Sequence, residues 1–90
     1  MIKHYNLHIF GRVQGVNFRH QSKMEADRLG IVGLIKNEPD GSVYVEAEGS
    51  ETALKKFVDW CRSGLSFARV TDIEVKERAV VGYSNFEIKY

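Results

Sequence analysis

The run from Gly11 to Arg19 carries the residues best suited to chemistry in this chain. It reads Gly-Arg-Val-Gln-Gly-Val-Asn-Phe-Arg and leads from a strand-like segment into a helical pattern. A glycine-rich turn at a helix start directs several backbone N–H groups at one point, where the helix dipole adds partial positive charge. The guanidinium of Arg19 adds planar donors that match phosphate or carboxylate oxygens. The run therefore predicts a small-anion site. The candidate anion-binding loop comprises Gln14, Gly15, Val16, Asn17, Phe18 and Arg19.

Two amphipathic patterns predict the helices of this chain. The first has apolar or small residues at helical spacing: Phe18, Ser22, Ala26 and Leu29. The second has the spacing i, i+3, i+4 and i+7: Leu54, Phe57, Val58 and Cys61. Gly30 and Gly64 are natural stops for the two helices, and Ser50 is a natural N-cap for the second.

Period-2 alternation of apolar residues predicts five strands. The alternating positions are Tyr5, Leu7 and Ile9 in the first strand, Ile31, Gly33 and Ile35 in the second, Val43, Val45 and Ala47 in the third, Ile73 and Val75 within Val70 to Arg78 in the fourth, and Phe86, Ile88 and Tyr90 in the fifth. Phe10 interrupts the first alternation, and the sequence Glu-Pro-Asp-Gly at 38–41 marks a turn after the second strand. Glu46 and Glu48, between the apolar positions of the third strand, are expected on a solvated sheet face.

The order β-α-β-β-α-β plus a short C-terminal strand predicts an α+β fold, the ferredoxin-like α/β sandwich. In this topology two helices cover one face of an antiparallel sheet. Right-handed crossovers leave the first two strands parallel, with the third between them. The C-terminal ends of the first two strands then share one edge of the sheet. The loop after the first strand and Asn37 at the end of the second are therefore expected to lie close together.

Length and composition restrict the class of protein. Ninety residues with 43% hydrophobic content support a single domain over residues 1–90. A formal net charge of +1 gives no electrostatic basis for binding a polyanion such as nucleic acid. The apolar runs are too short to span a bilayer. The lone Cys61 excludes an intramolecular disulfide and is typical of a reducing compartment, and residues 1–5 show no signal-peptide pattern. The sequence thus predicts a cytoplasmic protein.

The chain resembles the acylphosphatase family over nearly its whole length. The family's first motif is similar to Gly11 through Arg19, and its second to Gly-Leu-Ile-Lys-Asn at 33–37, followed at the family's spacing by Gly41, Val43 and Gly49. The segments 68–70 and 86–90 resemble later parts of the family. The residues that depart from the family's commonest choices are Asn17, His20, Leu34 and Ile35.

The resemblance implies hydrolysis of a carboxyl–phosphate mixed anhydride to a carboxylate and inorganic phosphate. It implies that Arg19 binds the phosphate and that Asn37 orients the attacking water. An amide is no general base, so a phosphate oxygen of the substrate is expected to take the proton. An acyl phosphate has a good leaving group, and its hydrolysis needs mainly positioning and charge stabilisation.

No metal or cofactor is expected. His4, His8 and His20 have no metal-ligand spacing, and Cys61 lies on the apolar stripe of the second helix, where a thiol is inert. The expected partner is a small-molecule acyl phosphate, with no nucleic acid and no membrane. The chain is expected to be a monomer, and Met1 close to the first strand favours a free-standing protein.

Three other interpretations remain open from the residues. RNA-recognition motifs share the element order, but they stack bases on strand aromatics amid positive charge, whereas the third strand here carries Tyr44 beside Glu46 and Glu48. A catalytically weak, anion-binding regulatory module would share the fold. A domain of a larger protein that handles acyl or carbamoyl phosphate would share the motifs.

Overall fold

The computed structural model describes residues 1–63 and 67–90, so the predicted helix stop at Gly64 lies outside the described residues. The elements follow one another as β1 (Ile2–Arg12), α1 (Phe18–Leu29), β2 (Val32–Asn37), β3 (Val43–Ser50), α2 (Glu51–Ser63), β4 (Arg69–Arg78) and β5 (Phe86–Lys89). This is the predicted order, and the ferredoxin-like sandwich is confirmed. In the described part of the chain, no helix is long and apolar enough to cross a membrane.

The five strands form one sheet in the order β4-β1-β3-β2-β5. β3 lies antiparallel to both β1 and β2, which leaves β1 and β2 parallel with β3 between them, as predicted. β5 adds a feature that the sequence pattern did not show, because it pairs with β2 in parallel and makes the sheet mixed. Local alternation cannot reveal the direction of a strand whose partner lies about fifty residues earlier in the chain.

The core lies between the two helices and one face of the sheet. Leu7 and Ile9 of β1 are fully buried there together with Leu54 and Phe57 of α2. The register places Leu7 opposite Val45, so the alternating apolar positions of neighbouring strands share this face. Burial of this apolar area is the main stabilising contribution to such a domain.

Both helix caps predicted from the sequence are present where the structure describes them. Gly30 ends α1 in the left-handed conformation, with its N–H directed to the carbonyl oxygens of Ala26 and Asp27. Ser50 precedes α2, and its hydroxyl accepts a hydrogen bond from the N–H of Ala53 at 3.1 Å. Both caps satisfy backbone groups that have no partner within the helix.

The expectation that Glu48 is solvated is wrong. Glu48 is only 1% exposed, because residues 79–85 cross the end of the sheet from β4 to β5 and cover it. Its carboxylate accepts hydrogen bonds from the N–H groups of Val81, Gly82 and Tyr83, the second at 2.9 Å and the third at 3.3 Å. His4 Nδ1 lies 2.7 Å from Glu48 Oε2. Burial alone would raise the pKa of Glu48, but these hydrogen bonds outweigh it and hold that pKa below its ordinary value.

Glu46 is also not simply solvated. It is half-buried, and its carboxylate accepts hydrogen bonds from the hydroxyl of Tyr44 at 2.8 Å and from that of Tyr83. Burial, followed by the contact with Glu46, raises the pKa of Tyr44 to about 12. The ring of Tyr83 also stacks on His4, with ring centres 6.1 Å apart. Tyr83 thus ties the segment 79–85 to the open face of the sheet.

Candidate active site

A pocket of about 210 Å³ lies at the sheet edge where β1 and β2 end. Its lining residues are Val13, Gly15, Asn17, Phe18, Arg19, His20, Asn37, Ile88 and Tyr90. The two segments that the fold was expected to bring together, the loop before α1 and the end of β2, therefore contribute to the same cavity. None of the lining side chains carries a carboxylate, so the protein side chains at this pocket offer an anion no repulsion.

The loop between β1 and α1 begins at an irregularity in the sheet. The pairing of β1 with β4 shifts register between Phe10 and Gly11. A Cβ atom on Gly11 would lie 2.0 Å from the carbonyl oxygen of Arg69, a distance that no side chain tolerates. Glycine is therefore required for the close approach of the two strands, and this bulge directs the chain away from the sheet into the loop.

The loop itself is built on two residues in the left-handed conformation. Gly15 has φ 73° and Asn17 has φ 65°. Glycine adopts this conformation without strain, and asparagine adopts it more readily than other side chains do. Along the part of this segment that the structure describes, the first N–H with a backbone acceptor is that of Gln21, which bonds to the carbonyl of Asn17 at 3.1 Å. The preceding N–H groups at the helix start are available to an anion.

Arg19 is half-buried at this pocket, and residues at the end of β5 contact its side chain. Its Nη1 donates to the carbonyl oxygen of Lys89 at 3.4 Å, and its guanidinium carbon lies 4.9 Å from the centre of the Tyr90 ring. Within residues 1–63 and 67–90 it forms no ion pair with a carboxylate. The positive charge and most donors of Arg19 are therefore not engaged by the described protein groups.

Asn37 is the last residue of β2 and pairs with Val43 of β3. Its side-chain oxygen Oδ1 is buried and has no hydrogen-bond partner among the described residues. The alternative role, a turn residue that bonds its own backbone, belongs instead to Asp40, whose Oδ1 accepts the N–H of Ser42 at 2.9 Å. A buried acceptor without a partner costs about 1–3 kcal/mol, and such groups often lie where a water or ligand binds.

Four of the six residues in the predicted loop line the pocket, and two do not. Gly15, Asn17, Phe18 and Arg19 line the pocket. Gln14 and Val16 do not line it: Val16 packs against the core, and the side chain of Gln14 turns towards the turn after β2.

Ile88 and Tyr90 are pocket residues that sequence reasoning missed. Both were assigned to the alternating pattern of the fifth strand, and Tyr90 lies just beyond its end. They reach the pocket because β5 pairs with β2, whose last residue is Asn37. No local signal in the sequence identifies that pairing. His20, which directly follows Arg19 in α1, is exposed and lines the pocket as well.

The remaining His, Cys, Asp and Glu side chains are the other candidate metal ligands or nucleophiles. Among the residues that the structure describes, no three of these side chains converge as metal ligands would. Cys61 is a buried free cysteine, and burial raises the pKa of its thiol far above the ordinary value. A thiol in this state is not a nucleophile at neutral pH. The expectation that Cys61 is a core residue is confirmed.

Comparison with known proteins shows which family this chain is similar to. The sequence profile described as Acylphosphatase matches residues 5–88. The chain is similar to the acylphosphatase of Ligilactobacillus salivarius, with 41% identity over 90 residues that cover 99% of this chain and 100% of that protein.

Solved structures show the same likeness. The crystal structure of acylphosphatase from Bacillus subtilis has a TM-score of 0.94 with this chain at 45% identity, and the match covers 100% of both chains. The structure of HypF from T. kodakarensis has a TM-score of 0.86 at 30% identity, covering 98% of this chain but 12% of that one. This fold therefore occurs both as a protein of this length and as a small part of a longer one.

Proposed function

The chain belongs to the acylphosphatase family, and we propose that it hydrolyses the carboxyl–phosphate bond of acyl phosphates in the pocket between β1, α1 and β2. Its family makes it a hydrolase that acts on acid anhydrides. The products are a carboxylate and inorganic phosphate. The observation that carries the choice of site is that Arg19 and Asn37 line the same pocket. Among the described residues, Arg19 forms no ion pair and the buried side-chain oxygen of Asn37 has no hydrogen-bond partner.

Arg19 and the N–H groups at the start of α1 hold the phosphoryl group. An arginine offers two parallel donors to phosphate oxygens, and the helix dipole adds partial positive charge. Since the charge of the phosphoryl oxygens persists in the transition state, preorganised donors stabilise it without reorganisation. The loop residues that contribute are Gln14, Gly15, Val16, Asn17, Phe18 and Arg19, the first and third through their backbone.

Asn37 orients the attacking water. Its Oδ1 accepts a hydrogen bond from that water, which satisfies the buried oxygen and directs a lone pair at phosphorus. The bond from phosphorus to the bridging oxygen breaks, and its electron pair leaves with the carboxylate. A phosphoryl oxygen of the substrate takes the proton of the attacking water, since Asn37 has no titratable group. The alternative proton acceptor is the imidazole of His20, which lines the same pocket.

We propose further that the reaction needs no metal ion or cofactor, since Arg19 and the N–H groups supply the positive field. We propose that the protein is a cytoplasmic monomer, and the buried free thiol of Cys61 supports the cytoplasmic location. A free thiol persists in a reducing compartment. Light scattering on the eluting peak of a sizing column measures the mass: a value near 10.3 kDa is expected, and twice that value contradicts the monomer.

Release of inorganic phosphate from acetyl phosphate or benzoyl phosphate by the purified protein tests the proposed function. Turnover that saturates with substrate and is inhibited competitively by inorganic phosphate is expected. Binding of phosphate without turnover of either substrate would contradict hydrolysis and favour the anion-binding regulatory module instead.

A further inference from the structure

The two halves of the proposed site lie on separate chain segments that one glutamine joins. Gln14, in the loop before α1, donates hydrogen bonds from its side-chain Nε2 to the carbonyl oxygens of Glu38 and Ser42, both at 2.8 Å. Glu38 directly follows Asn37. The amide of Gln14 therefore connects the segment that holds the phosphoryl group with the segment that holds the water-orienting side chain.

The turn to which Gln14 donates is held by further hydrogen bonds of its own. The N–H of Glu38 donates to the carbonyl of Ser42 at 2.9 Å, and the N–H of Gly41 donates to the carbonyl of Glu38 at 3.1 Å. The hydroxyl of Ser42 donates to Asp40 Oδ1 at 2.5 Å and lies 2.6 Å from His8 Nε2. A displacement imposed on this turn is thus passed to the end of β2, because the turn has little internal freedom to absorb it.

The side chain of Gln14 does not contact the pocket. Both amide protons are used by carbonyl oxygens of the turn, and its side chain is absent from the pocket lining. Any effect of its side chain on catalysis must therefore act through the residues that the turn and the loop position. This distinguishes it from Arg19, which lines the pocket directly.

We propose that Gln14 is a positioning residue that fixes the amide of Asn37 relative to the bound phosphoryl group. The proposal rests on the function assigned above to Asn37. Phosphoryl transfer depends on in-line placement of the nucleophile, and a misplacement of about 1 Å costs on the order of a hundredfold in rate. The two hydrogen bonds from Gln14 supply that placement, and their acceptors Glu38 and Ser42 lie 24 and 28 residues later in the sequence.

The first test replaces Gln14 with methionine, which has nearly the same length and volume but no donor. We expect Gln14→Met to lower kcat at least about tenfold, while KM and the inhibition constant for inorganic phosphate change less than about twofold. Gln14→Glu, which presents a carboxylate to two carbonyl oxygens, should lower kcat at least as much. Gln21→Met, the same exchange in α1, is the matched control and should leave kcat unchanged. If the methionine variant does not fold, Gln14→Asn, whose shorter amide cannot reach both carbonyls, takes its place.

A double-mutant cycle with Asn37→Ala identifies the residue through which Gln14 acts. If Gln14 positions Asn37, the double variant should have the kcat of Asn37→Ala alone, because no positioned amide remains to be displaced. Additive losses, or phosphate inhibition that weakens in step with kcat, would overturn the proposal and assign Gln14 to the phosphate-binding loop. Loss of thermal stability with unchanged kcat would make it a structural brace and overturn the proposal as well. If Asn37→Ala itself has wild-type kcat, the function assigned to Asn37 is what fails.

Discussion

The guanidinium of Arg19 packs on the ring of Tyr90, with 4.9 Å between the guanidinium carbon and the ring centre. Tyr90 is almost fully exposed, so this contact lies at the protein surface. A cation–π contact at an exposed site is worth about 0.5–1 kcal/mol. Together with the hydrogen bond to the carbonyl of Lys89, it orients the side chain from β5. Both contacts favour one orientation of the guanidinium at the pocket that a phosphate ligand would enter.

Replacing Arg19 with glutamine should raise KM for an acyl phosphate and lower kcat. A hydrogen bond to a charged group is worth about 1.5–3 kcal/mol, so kcat/KM should fall at least about tenfold. Inorganic phosphate should inhibit the wild type competitively and the variant hardly at all. Arg28→Gln in the same helix, whose arginine is exposed and paired with Glu25, is the matched control. Unchanged kinetics in a folded Arg19→Gln protein would remove Arg19 from the site.

Asn37→Ala should separate binding from chemistry. If Asn37 holds water and not phosphate, kcat should fall strongly while the inhibition constant for phosphate stays near its wild-type value, because the lost interaction is made mainly in the transition state. Steady-state rates with acetyl phosphate and phosphate inhibition measure both quantities. Phosphate affinity that falls in step with kcat would place Asn37 among the groups that bind phosphate.

His20→Gln tests where the proton of the water goes. If a phosphoryl oxygen accepts it, the variant should keep kcat within the same order of magnitude, since its side chain only lines the pocket. Loss of a general base costs about 10²–10⁴-fold in rate. A loss of that size, together with disappearance of a titration from the pH profile of kcat, would make His20 the base.

Hydrolysis should not depend on a divalent cation. A phosphoryl oxygen is stabilised either by a metal ion or by fixed cationic and N–H donors, and Arg19 with the start of α1 supplies the second set. Initial rates with benzoyl phosphate should therefore survive EDTA, and added Mg²⁺ should raise them little. Activity that EDTA abolishes and one specific ion restores would contradict this prediction.

The sequence predicted those features of the molecule that depend on local order. The spacing of Leu54, Phe57 and Cys61 identified a buried stripe on α2, because all three residues lie within one short segment. The turn around Gly15 and the start of α1 was recognised for the same reason. The roles of Arg19 and Asn37 in catalysis stay predictions, and the structure adds that both side chains meet at one pocket.

The features that the sequence did not predict depend on distant pairing. Tyr90 reaches Arg19 because β5 joins β2, and no pattern within 86–90 specifies that neighbour. Glu48 occupies a position that alternation assigns to a solvated face of the sheet. The segment 79–85, which lies 31 residues or more later in the chain, buries it. Period-2 patterning reports which face a side chain is on but not what later covers that face.

Glu48→Gln should therefore destabilise the fold in a pH-dependent way. The pKa of Glu48 in the folded protein lies below the ordinary value of 4.5, so the carboxylate stabilises the fold above that value, and this contribution is lost as the pH falls through the lower, folded-state pKa. Removing the charged acceptor should cost about 1–3 kcal/mol in the free energy of unfolding near neutral pH.

The difference in stability between wild type and Glu48→Gln should shrink at acidic pH, where the wild-type carboxyl is protonated too. Urea unfolding at neutral and at acidic pH measures this difference in the free energy of unfolding. Glu77→Gln, at an exposed residue near the end of β4, is the control and should change the stability little. A difference that stays constant or grows on acidification would show that the charge of Glu48 does not hold the segment 79–85.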